Sequence, residues 1–346
     1  MIRENIFVSL ILLFAIAFTS SNLVYAQETE LRFGTAVPPD VNAIYDRGLQ
    51  WLVKNQTEKG DWAGGQQGPG VTGMAVMAFL ASGEDPNFGK YSGNIRKAVR
   101  SMIRGQNGST GYFGNSMYHH GFAMLGMSEV YGVLDDDTLW QGDSNSSGRR
   151  TIAESLELAV RAAITSQKSN QWNAWRYSPT STDADTSVAG AVLMGLLAAR
   201  NAGIKIPNDS IDKALEYFRK MTNTRGGVGY SGVGGGSKNL QAIAMLVYAI
   251  GRRKNLKEYK AVASQVTTGL EQQNHYPYYN RYYTAQALFQ GDFSAWQKWN
   301  LRTIRLLKEQ QNDDGSFNSN MGVAYGTSMS MLAMALNYRF LPIYER

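Results

Sequence analysis

Apolar positions in this chain alternate between two styles. One is a single stripe at helical spacing, as in Ile152, Leu156, Ala159, Val160 and Ala163, or Ile211, Ala214, Leu215 and Phe218, which buries one face of a helix. The other is apolar nearly all round and rich in Ala, Gly and Met, as in 71–81 and 185–202, a composition suited to a helix surrounded by others. The alternation predicts six helix pairs: 41–55 with 71–81, 91–105 with 117–131, 150–165 with 185–202, 210–221 with 238–251, 256–271 with 282–290, and 292–310 with 325–340. Within each pair a turn carries glycine and aromatic residues, most clearly Gln56-Thr57-Glu58-Lys59-Gly60-Asp61-Trp62. There Gly60 supplies the positive φ of a reversal and Trp62 a flat face to lay over the helix end.

Striped helices belong outside and all-apolar ones inside, so two concentric rings satisfy the pattern. An open stack of this size needs a polar cap at each end, whereas a closed ring needs none. The expectation is an all-α, closed (α/α)6 toroid occupying residues 41–346 as one domain. An extended strap over 27–40, with Pro38-Pro39, precedes it. Before that, Arg3, the apolar run 6–18 and Val24-Tyr25-Ala26 have the layout of a signal peptide cleaved near Ala26. Export to a periplasmic or extracellular location, without a transmembrane anchor, follows as an expectation.

Gln56, Gly60 and Trp62, and Gln311, Gly315 and Phe317 with Phe in place of Trp, resemble the Gln-x-x-x-Gly-x-Trp repeat of the prenyltransferase and squalene-oxidase family. The resemblance implies the toroid of terpenoid cyclases and protein prenyltransferases, and with it an extended apolar, isoprenoid-like ligand. Thr182-Asp183-Ala184-Asp185-Thr186 is similar to the Asp-x-Asp-Asp acid motif of squalene-hopene cyclases, with one carboxylate replaced in either register. Through that resemblance Asp183 and Asp185 are the catalytic candidates, one as an alkene-protonating acid. Read without it, Asp185 before Thr-Ser and an apolar run is a helix N-cap.

Composition narrows the chemistry. The 346 residues include no cysteine, which excludes disulfides, thiolate nucleophiles and cysteine-containing zinc sites. His119 and His120 are adjacent and point to different sides of a helix, so they do not form a paired metal site, and no metal or cofactor is expected. The net charge is +6, and the densest basic run, Arg252-Arg253-Lys254 with Lys257 and Lys260, sits at a helix connection. That placement reads as a solvated face, and no nucleic-acid partner is expected. Gly227-Val228-Gly229-Tyr230-Ser231-Gly232 spells a dinucleotide fingerprint but follows no strand, and reads as a turn.

Because every such turn leads from an outer helix to an inner one, all six belong at one end of the barrel, where six inner N-termini converge. Those amides make the mouth attractive to anions. The ligand-binding candidates around it are Trp62, Tyr112, His119, Trp172, Trp175, Arg176, Tyr177, Tyr230, Tyr278, Arg281 and Phe317. An aromatic rim with a few cations suits an extended apolar molecule or a glycan stacking its sugar faces, the latter for carbohydrate binding or polysaccharide degradation. A mouth filled by its own side chains would instead mark a protein-binding scaffold.

Overall fold

The computed structural model describes residues 37–270 and 276–344. The expected signal peptide, most of the leader, and His275 in the fifth turn lie outside them. Thirteen α-helices form among the described residues: α1 Pro39–Asn55, α2 Pro69–Leu80, α3 Ser92–Gly105, α4 Met117–Val130, α5 Asp136–Leu139, α6 Ile152–Ser169, α7 Thr186–Asn201, α8 Asn208–Met221, α9 Lys238–Ile250, α10 Lys257–Thr268, α11 Pro277–Gly291, α12 Phe293–Gln310 and α13 Val323–Met334. Short 3-10 turns follow at Ala335–Asn337 and Pro342–Tyr344. Beyond these, the described residues hold one isolated β-bridge, Thr222 to Val228.

The architecture is the expected closed toroid. Helices α2, α4, α7, α9, α11 and α13 pack in sequence as an inner ring, and α13 returns to α2. The outer ring is α1, α3, α6, α8, α10 and α12, closed where α12 meets α1. Burial follows the two sequence styles: every residue of α2 from Gly70 to Leu80 is buried, whereas α3 buries only Ile95, Ala98, Val99, Met102 and Ile103. The inner ring needs its small residues. A Cβ on Gly73 would lie 2.5 Å from the Phe122 carbonyl, and one on Gly121 2.5 Å from Ala191 backbone, so α2, α4 and α7 approach closer than side chains allow.

Several boundaries differ from expectation, the most at α11 and α13. Helix α11 starts at Pro277, five residues before the predicted 282, because proline fits the first helical turn and draws Tyr278 and Tyr279 out of the turn into the helix. The last inner helix ends at Met334 and tightens into a 3-10 turn. Helix α1 begins at Pro39, within the stretch expected to be extended, for the same reason as α11.

The turns share one hydrogen-bond scheme. The Gln56 amide donates to Gly60 O in its own turn (3.0 Å) and to Asn94 O at the start of α3 (3.0 Å). Gln106 does the same to Gly111 O and Ser155 O, both at 2.9 Å. Gln167 reaches Asn173 O at 3.0 Å and Ser210 O at 2.8 Å, and Gln311 reaches Gly315 O at 2.9 Å and Ile44 O at 2.8 Å. In the fourth turn Gln241 of α9 supplies the bond to Gly226 O at 3.2 Å. The accepting residue has positive φ in all five, Asn173 at 52° being the one that is not glycine. Two residues later comes a buried wedge: Trp62, Phe113, Trp175, Val228 or Phe317. Trp62 and Trp175 also donate their indole N–H to Leu52 O (2.9 Å) and Ala163 O (2.8 Å) of the preceding helices, so their buried indole N–H groups are satisfied.

Gln311 is the link that closes the ring, since its second acceptor belongs to α1. Gln311→Ala should therefore strip two carbonyls of their donor and destabilise the protein by about 2–3 kcal/mol. Thermal denaturation followed by circular dichroism should still show one cooperative transition, at lower temperature; a separate early transition for α12–α13 would contradict a ring that melts as a unit.

Candidate functional site

The outer-to-inner turns lie together at one end, and a cavity of about 870 Å³ opens there. The first turns of all six inner helices reach it, through Gly70, Val71 and Met74 of α2, Tyr118 and His119 of α4, Ser187 of α7, Asn239 and Leu240 of α9, Tyr279 of α11 and Tyr325 of α13. A second cleft of about 400 Å³ continues from it between the start of α11 and residues 318–323, sharing Tyr276, Tyr279, Met321 and Tyr325.

Tyr118 and Tyr279 of the lining belong to a contiguous set of rings that continues behind it. Tyr118 lies 5.1 Å from Phe122 and 6.0 Å from Tyr279, which packs edge-on to Tyr283 at 4.8 Å. Burial pushes the phenols of Tyr118, Tyr279 and Tyr325 well above their ordinary value, so they remain neutral hydroxyls that both donate and accept.

At the rim, Tyr177 and Tyr230 are 51% and 39% exposed and their hydroxyls are 2.9 Å apart. Arg176 stacks over Tyr230 at 6.0 Å and pairs with Asp183. Both partners of that ion pair reach solvent, so its worth is small. Tyr276, 58% exposed, also lines the cavity, just before α11.

Asp183 and Asp185 do not form a carboxylate pair facing the cavity. Asp185 is fully buried and caps α7, Oδ1 accepting from Val188 N–H at 2.9 Å and from the Ser187 hydroxyl at 2.6 Å. Burial pushes its carboxyl up, while the bonds from Ser187 and Val188 and a contact from Tyr230 pull the other way. It adjoins the cavity only through Ser187 and Tyr230, which line it.

The other candidates divide. His119, Tyr177 and Tyr230 line the main cavity. Tyr278 lines the side cleft, donates to Asn318 O at 2.6 Å and carries Arg281 over its ring at 5.4 Å. Trp62, Trp175 and Phe317 are turn wedges with no face toward the cavity. Trp172, 39% exposed, packs edge-on to Tyr217 at 6.5 Å, and Tyr112 lies on His120 at 5.5 Å, both away from the lining. Sequence reasoning missed Tyr118, Tyr279 and Tyr325. Their signal was a tyrosine in the first turn of an otherwise apolar inner helix, where a purely structural helix has no need of a hydroxyl.

The adjacent histidines have separate roles. His120 is buried, accepts from Phe113 N–H on Nδ1 at 3.2 Å and donates from Nε2 to Ala159 O at 3.0 Å, tying the second turn to α6. His119 accepts from Gly70 N–H on Nδ1 at 3.3 Å, which places its proton on Nε2. Burial lowers His120 to about 4. A depressed folded value means its stabilisation is complete above the unfolded value of ~6.5 and is lost as pH falls toward 4, about 3 kcal/mol in all at ~1.4 kcal/mol per unit. Melting temperature should thus fall between pH 7 and pH 4, and His120→Gln should flatten that slope; an unchanged slope would refute the assignment.

No family model matches the chain, and no curated relative matches it. Solved structures do match. An inactive variant of an α-1,6-mannanase from a Salegentibacter species, in complex with α-1,6-mannotriose, superposes with a TM-score of 0.63 at 9% identity, over 86% of this chain and 99% of that one. A type II terpene cyclase from Scytonema in complex with geranylgeranyl dihydroxybenzoate gives 0.55 at 11% identity, over 87% and 98%, and its unliganded form 0.53 at 13%, over 87% and 99%. At these identities the likeness establishes the closed α/α toroid, and the resemblance to the terpenoid-cyclase class holds at the level of the fold.

Proposed function

We propose that this protein binds a glycan chain in the mouth of its toroid. The observation that carries the reading is the make-up of the cavity wall, where tyrosine rings alternate with amide, hydroxyl and imidazole groups: Gln66, Asn115, Ser116, His119 and Ser187 stand among Tyr118, Tyr177, Tyr230 and Tyr276. Flat rings match sugar faces, and short polar side chains between them match hydroxyls. The open volume favours a ligand over a scaffold role. No Asp or Glu is among the described residues lining the cavity, Asp183 pairing with Arg176 at the rim and Asp185 lying buried with Oδ1 in a helix cap, so binding rather than two-carboxylate hydrolysis is the activity proposed. A mannotriose-bound toroid among the structural neighbours is consistent with this.

A second reading, an isoprenoid-like ligand, rests on the aromatic cluster of Tyr118, Phe122, Tyr279 and Tyr283 and on the raised carboxyl of Asp185 beside Tyr230. In that reading Asp185→Asn would keep the cap and abolish turnover.

A glycan-binding screen followed by calorimetry tests the choice. Combined Tyr177→Ala and Tyr230→Ala should weaken glycan binding by about tenfold or more with folding intact, since rim aromatics are the exposed anchors. Recovery of an isoprenoid by solvent extraction, with no glycan bound, would overturn the proposal in favour of the second reading.

A further inference from the structure

We infer that the side cleft between the start of α11 and residues 318–323 is a second sugar subsite, so that the glycan in the mouth is an oligosaccharide filling both spaces and crossing between them at Tyr279. The inference rests on the glycan reading and adds where the chain goes and that it must be long enough to fill both.

Composition carries the first step. Tyr276 and Tyr278 stand in the cleft with Asn318, Ser319 and Asn320, the same mix of aromatic faces and short amide and hydroxyl groups that lines the main cavity. No charged side chain is among the described residues lining the cleft, and a charged ligand would lose its water there without a counter-ion. Neutral sugars fit it. Size agrees: spaces of roughly 300–1,000 Å³ hold small ligands, and the cleft at about 400 Å³ and the main cavity at about 870 Å³ both fall in that range.

The cleft is also built in advance. On the α11 side the Tyr278 hydroxyl donates to Asn318 O at 2.6 Å, and its ring packs edge-on to Phe317 at 6.4 Å, so the aromatic platform is fixed to the facing wall. That wall is pinned in turn to the loop after the first turn, where Gln66 N–H donates to Met321 O at 2.7 Å. A Cβ on Gly65 would lie 2.4 Å from Gly322 Cα, so the two loops meet backbone to backbone. A platform already in place costs a ligand little ordering entropy.

The junction supplies an independent observation. Tyr279 lines both spaces and is only 7% exposed, and its hydroxyl is buried with no hydrogen-bond partner. A buried hydroxyl left unpaired is costly, and a sugar hydroxyl crossing at that point removes the cost.

The test uses neutral probes on the whole protein: α-1,6-manno-, β-1,4-gluco- and β-1,4-xylo-oligosaccharides of two and six units, measured by calorimetry. In a series that binds, the six-unit chain should bind about tenfold more tightly or better than the two-unit one, because a second subsite on the same ligand adds to the first. Asn320→Trp fills the cleft from an exposed position that does not line the main cavity, and Tyr278→Ala removes the platform. Each should bring the ratio of the two affinities close to one, with circular dichroism and melting reporting the fold; should Tyr278→Ala fail to fold, Asn320→Trp decides alone. A ratio near one in the unaltered protein would overturn the second subsite and leave the glycan reading standing. A large ratio that survives Asn320→Trp would place the gain elsewhere and overturn it as well. Binding of no probe in any series would overturn both readings.

Discussion

The structure depends on a glutamine amide that serves two carbonyls at once. In each scheme one acceptor is in the turn and, in four of the five, the other is near the start of the next outer helix, as when Gln56 joins Gly60 O to Asn94 O and Gln311 joins Gly315 O to Ile44 O. The hydrogen bonds that end one hairpin therefore position the next. Positive φ at the accepting residue is a condition of the scheme, not an ornament: a Cβ at Gly315 would lie 2.3 Å from the Arg47 carbonyl, and one at Gly60 2.2 Å from that of Lys97. Because the last link reaches back to α1, the ring has no free end, and no hairpin has to cover its own apolar flank.

The same constraint creates the site. A turn built this way always leads from an outer helix into an inner one, so the inner helices run parallel and their N-termini gather at one end. On one side the ring is drawn tight by glycine contacts among α2, α4 and α7. On the other, α11 and α13 carry Tyr279, Tyr283 and Tyr325. The cavity lies at the end where all six inner helices begin.

Ring count, the two helix styles and the common end of the turns were legible because each is a consequence of periodicity and of glycine chemistry, which act locally. The repeat was harder to see where residues intervene: five positions separate Gln106 from Gly111 and six separate Gln167 from Asn173, and in the fourth turn the glutamine comes from α9. Three-dimensional equivalence survives such insertions because the amide needs only to reach two carbonyls. Of the residues named from sequence, His119, Tyr177 and Tyr230 line the cavity, whereas Trp62, Trp175 and Phe317 are buried wedges of the turns. Being aromatic and in a turn does not say which way a ring faces. Position relative to the positive-φ residue does: the wedge is two residues after it, so neighbours such as Tyr177, two further from Trp175, are free to face the mouth.

Asp185 shows how the fold draws on a polar side chain at a helix start. Its place immediately before α7 makes Oδ1 the acceptor for Val188 N–H, and burial discourages its charge. Only Oδ1 is used in this way; Oδ2 is buried without a hydrogen-bond partner, and the residue itself does not line the cavity. The neighbouring helices α2, α9, α11 and α13 have no such side-chain cap. Two toroids with the same ring can thus hold a mannotriose and a geranylgeranyl compound, since the architecture fixes only where the helix ends meet. Which ligand enters depends on whether those ends are capped from within and on the few first-turn side chains, here tyrosine, asparagine and histidine, that stand between them.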